Sequence, residues 1–202
     1  MTAAILADSR VGAGRIPSAA VALATGLALA LVVGVRWQIY RTAALNGIAE
    51  GSVFGCALVA VALVAGVRPS VPRPGAVMAG ATAGAVLVAV SLLARWPAPP
   101  LVLGHAAPFL PWVVVTTLVA TGEELVLRGV LWHWTAAASG SGTALLVTSL
   151  AFALIHVPVY GWHVVPLDLG VGLFFGGLRL WFGGPAAPAA AHVLADLATW
   201  WL

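Results

Sequence analysis

The length of its apolar runs constrains this chain more than anything else. Seven stretches carry almost no charge, at residues 16–35, 48–67, 75–94, 109–138, 143–157, 164–182 and 188–202. A helix crossing a bilayer core needs about 20 apolar residues. Composition agrees. The chain is 62% hydrophobic and 7% charged, against about 25% charged in a soluble domain. The mean hydropathy is +1.07. One soluble core built from 202 residues could not hide that much apolar surface from water. In lipid each backbone polar group must be satisfied within the segment, which makes the runs helices. The sequence therefore predicts an all-α, polytopic transmembrane bundle of seven to eight helices.

The fourth run is long enough to tilt or to split in two. The fifth is short, and Pro158 is expected to stop it just past His156, because proline lacks the backbone donor. Prolines make loops of 71–74 and 96–100. Arginines precede the first run as they would in a signal peptide. That run is long for such a peptide and has no clear cleavage site, so it is expected to be retained. Tryptophans at 37, 96, 112, 162, 181, 200 and 201 cluster near predicted span ends, as in an interfacial aromatic belt. Frequent Gly and Ala allow close helix packing.

The nine basic residues are all arginines, and most stand singly or in pairs between runs. They read as membrane-flanking anchors. Nucleic-acid binding would need them clustered, so no nucleic-acid partner is expected. Arg10, Arg15, Arg68 and Arg73 against Arg36, Arg41 and Arg95 favour a cytoplasmic N-terminus. The lone Cys56 permits no disulfide or cysteine zinc site and is expected to be a small buried hydrophobe.

Ionisable residues inside spans are the anomaly. Glu123, Glu124 and Arg128 fall in the fourth run, His156 ends the fifth, and His192 and Asp196 lie in the seventh. A charge at mid-bilayer costs about 3 kcal/mol even on lenient scales. Pairing relieves part of this. Glu124 and Arg128 are four apart on one helical face, as are His192 and Asp196. Glu123 is turned about 100° from Glu124 and has no partner on its own helix. A dry site with three carboxylates and one arginine needs a proton, a charged histidine, a metal or water. Each of these marks a reactive site. The other polar residues are expected to be peripheral: His105, His133 and His163 at span ends, Arg179 snorkelling, and Asp168 facing a loop. Phe152 shares a face with His156 and is either a pocket wall or a core side chain.

The spacings are Glu123-Glu124-Leu-Val-Leu-Arg128, Phe152-Ala-Leu-Ile-His156 and His192-Val-Leu-Ala-Asp196. In this order they resemble the EExxxR, FxxxH and HxxxN/D motifs of the CPBP intramembrane proteases, which include type II CAAX prenyl endopeptidases and bacterial Abi-type proteins. The resemblance covers roughly residues 121–201 and implies an active site in the C-terminal four helices. It divides the chain into N-terminal transmembrane helices without a motif (1–106) and a catalytic helical core (107–202). It implies an endopeptidase acting on a membrane-embedded or membrane-tethered peptide. Glu123 would be the general base and His156 its partner on the water. Glu124 would pair with Arg128, and His192 would stabilise the oxyanion. Asp196 stands where the family also has asparagine. An ionised aspartate cannot donate to an oxyanion, so the expected role is to orient His192.

No cofactor is expected on that mechanism. The alternative is zinc held by Glu123, His156, His192 and Asp196, although the HExxH helix is missing. Two other functions stay open: a non-proteolytic immunity or scaffold protein, and a small proton-coupled transporter. Transporters usually show internal repeats, and none is visible here. The partners expected are the lipid bilayer and a membrane-anchored substrate. The composition, rich in Ala, Val and Arg without lysine, points to the inner membrane of a high-GC bacterium.

Overall fold

A computed structural model describes residues 17–67, 71–94 and 107–201. Arg10, Arg15, Arg68, Arg95, Trp96, the 96–100 loop and His105 lie outside the described residues. Among the described residues every regular element is helical. The helices are α1 (Ser18–Thr42), α2 (Gly47–Val64), α3 (Pro74–Ala94), α4 (Phe109–Glu124), α5 (Trp132–Tyr160), α6 (Val165–Phe182) and α7 (Ala186–Ala198). A π-helical segment, Leu125–Leu131, joins α4 to α5, and a 3₁₀ turn, Trp162–Val164, precedes α6. Among the described residues five stretches are long and apolar enough to cross a bilayer. One of them, Phe109–Tyr160, runs 52 residues and breaks at Gly140 (φ 86°, ψ 164°). The chain doubles back there, since Phe152 returns to within 4.8 Å of the Arg128 guanidinium. The break falls between the two runs expected at 109–138 and 143–157.

Several boundaries differ from expectation for physical reasons. The helix α5 continues through Pro158 and ends at Gly161, whose φ of 88° a side chain would resist. Pro158 therefore does not stop it. The α1 helix extends past Arg36, because Arg36 is paired with Glu50 of α2 at 3.0 Å and lies over the Phe54 ring. Instead of the 15 residues expected at 188–202, α7 has 13 and is shorter than a bilayer crossing. Cys56 is exposed, contrary to expectation. It projects away from the face that α2 buries through Gly51, Phe54, Gly55 and Leu58.

Small residues decide which helices meet. Gly51 and Gly55 seat α2 against Val115 and Leu118 of α4, while α1 packs on α2 and α5. Gly80 and Gly84 let α3 lie directly on the backbone of α7 at Ala187 and Ala191. Gly172 does the same for α6 against Ser149 of α5. Such small-xxx-small stripes drive association in lipid, where van der Waals packing replaces hydrophobic burial. A Cβ on Gly84 would sit 2.6 Å from the Ala191 carbonyl oxygen, and backbone cannot move aside cheaply. Gly84→Val should therefore lower stability by about 1–3 kcal/mol, measured by denaturant unfolding of the purified protein.

Candidate active site

The site assembles where α4, the π segment, α5, α6 and α7 converge. Glu123 and Glu124 close α4, and Arg128 lies in the π segment. Segments of this kind are rare and often found at functional sites. Here the segment brings three ionisable residues into the core. The Glu124 and Arg128 side chains are both fully buried, and Arg128 Nη1 donates to Glu124 Oε1 at 2.9 Å. Arg128 Nη2 donates to the Gly172 carbonyl at 3.0 Å. That carbonyl is reachable because α6 lies so close to α5. The guanidinium also lies over the rings of Phe152 and Phe175. Arg128 thus ties three helices together.

His192 is held from both edges. Its Nδ1 lies 3.1 Å from Glu124 Oε1, so with a carboxylate as acceptor this nitrogen donates. Its Nε2 faces two further carboxylates, Asp196 Oδ2 at 3.4 Å and Glu123 Oε2 at 3.9 Å. Two carboxylates cannot meet a bare ring nitrogen favourably. A proton must lie between them, on the ring or on an acid. Glu123, which has no partner on its own helix, therefore finds one in α7. Phe152 and Phe175 pack on the His192 ring at 5.3 and 5.0 Å between centroids.

His156 reaches the cluster by another route. Its Nδ1 donates to the Phe152 carbonyl at 2.8 Å and lies 3.6 Å from Asp168 Oδ2. Its ring packs on Phe152 and stacks on Tyr160. Asp168 does not face a loop as expected. It sits in the first turn of α6, turned towards His156. Sequence gave little sign of it, because its partner comes from another helix. Exposure grades across the cluster. Glu124 is sealed, Glu123 and His192 are 3% and 5% exposed, His156 and Asp168 17% and 19%, and Asp196 40%. Exposure therefore rises from the buried Arg128 towards Asp196. Tyr160 and Asp168 both flank His156 at this end.

Zinc was the alternative use of Glu123, His156, His192 and Asp196. Among the described residues no group of three or more His, Cys, Asp or Glu has the arrangement of a metal site. The His156 Nδ1 edge is occupied by Phe152 and Asp168, and His192 Nδ1 by Glu124. Both contacts use Nδ1 and leave the Nε2 edges of the two histidines outside them, that of His192 facing Glu123 and Asp196.

The fold and this cluster define a class: a helical, multi-pass membrane protein with a buried carboxylate, histidine and arginine network at the core of its C-terminal half. Residues 105–198 match a family model described as Rce1-like, type II CAAX prenyl endopeptidase Rce1-like. That segment is similar to the type II CAAX prenyl endopeptidases, the group that the three motifs resemble. No curated protein and no solved structure matches the chain.

Proposed function

We propose that this protein is an intramembrane endopeptidase whose water is activated by Glu123 with His156. The observation carrying the proposal is that Glu123 and the Nε2 edge of His192 face each other at 3.9 Å, nearly buried, beside the more exposed Asp196. In the proposed reaction, water entering past Asp196 loses a proton to the Glu123 carboxylate, and its oxygen adds to the scissile carbonyl. His156 holds the same water, its orientation fixed by the Phe152 carbonyl and Asp168. His192 donates from Nε2 to the oxyanion. Glu124 steadies its far edge, and Asp196 orients it. The tetrahedral intermediate collapses, the C–N bond breaks, and the proton taken by Glu123 passes to the leaving amine. Donors fixed before reaction, in a site of low dielectric, are worth more than the same donors in water.

The substrate is a membrane-embedded or membrane-tethered peptide segment of the protein's own membrane. We place that membrane in a bacterial cell and assign the enzyme no metal. The test uses purified wild type in detergent, with zinc quantified by mass spectrometry and a membrane-anchored peptide library as substrate. Cleavage should persist in protein stripped of metal by a chelator. Stoichiometric zinc whose removal stops cleavage would overturn the metal-free mechanism.

A further inference from the structure

A cavity of about 1310 Å³, lined by none of the carboxylates of the site, lies between α2, α3, α7 and the α4–π segment. It opens between helices that each pack elsewhere, α2 on α4 and α3 on α7. Most of its wall is apolar, including Ala62, Ala76, Leu125 and Leu194. Its polar character gathers at the end formed by the start of α3, the start of α5 and the α6–α7 turn, where Arg73, His133 and Arg179 line it. This is the opposite end of the bundle from Asp196 and Tyr160.

Arg179 does not snorkel to an interface as expected. It is half-buried, its Nε donates to the Arg128 carbonyl at 2.8 Å, and its guanidinium lies over Trp132. Among the described residues neither Arg179 nor Arg73 forms an ion pair with a carboxylate. A cation half out of water is costly unless an anion meets it. The cavity is too large and too apolar for an inorganic ion alone. Its shape suits an amphiphile, with a negative head at the basic end and hydrocarbon along the helices. Basic pockets between membrane helices select anionic lipid headgroups in this way.

We propose that this cavity is a binding site for an anionic phospholipid, with Arg73, His133 and Arg179 on its phosphate. The assignment does not depend on the peptidase mechanism. It would place the headgroup one hydrogen bond from Arg128, and so next to the floor of the active site.

The probe is an equimolar mixture of phosphatidylglycerol and phosphatidylcholine. Wild type is reconstituted in it and re-extracted, and retained lipid is counted by native mass spectrometry. Wild type should retain phosphatidylglycerol preferentially. Arg73→Gln/His133→Gln leaves the Arg179–Arg128 bond in place, yet should lose about fivefold in that preference, as expected for one basic residue near a headgroup. Arg73→Lys keeps the charge and should keep the preference. So should Arg41→Gln, since Arg41 lies outside the cavity, beside Trp37 at the other end of α1. Equal retention of both lipids by wild type would overturn the proposal. So would an unchanged preference in the double variant, or an equal loss in Arg41→Gln.

Discussion

Replacing Glu123 by glutamine should lower peptide cleavage about 10²- to 10⁴-fold, the range a positioned general base contributes. The substitution is nearly isosteric, and Glu123 meets His192 of α7 only across 3.9 Å. Stability should change little, so the loss would be chemical. Unfolding curves beside single-turnover cleavage rates separate the two effects. The same variant separates the classes of function. An immunity or scaffold protein should tolerate the change and keep its phenotype. A proton-coupled transporter should lose transport into liposomes driven by a pH gradient. A Glu123→Gln protein that cleaves at the wild-type rate would remove Glu123 from the mechanism.

Arg128→Met should be the most destabilising single change in the bundle, by about 3–5 kcal/mol. The argument rests on what stays behind. Glu124 is fully buried and would keep only His192 on Oε1, with Oε2 already without a hydrogen-bond partner. The Gly172 carbonyl would lose its donor as well. Breaking one side of a buried ion pair costs far more than replacing both sides by apolar groups of similar size. Glu124→Gln/Arg128→Met should therefore recover part of the loss. Denaturant unfolding of the two variants against wild type checks this. A single variant as stable as wild type would mean that the pair contributes nothing to the fold.

Much of the site was legible because its residues break the rule of their surroundings. Six ionisable side chains within apolar runs are conspicuous, and four of them pair at helical spacing. The Glu124–Arg128 and His192–Asp196 neighbours could be read from a period of 3.6 residues. Their closeness in the structure, 2.9 and 3.4 Å, follows from that spacing. Asp168 and Glu50 were passed over because their partners, His156 and Arg36, stand on other helices. No periodicity within one segment reports such a pair. Arg179 was misjudged for the same reason, since its acceptor is a backbone carbonyl 51 residues away.

The sequence by itself determined the solvent and the secondary structure. Long apolar runs exclude water, and without water only internally bonded helices survive. It also determined which residues were too costly to be incidental. Tertiary structure alone decided which helices touch, how deep each charge lies, and which end of the cluster is open. Glycines set the first, by letting α3 lie on α7 and α6 on α5 at backbone contact. The second shows at the junction of α4 and the π segment, where both glutamates and Arg128 are buried. These depend on close approach between segments far apart in the chain, and one-dimensional spacing holds no record of that distance.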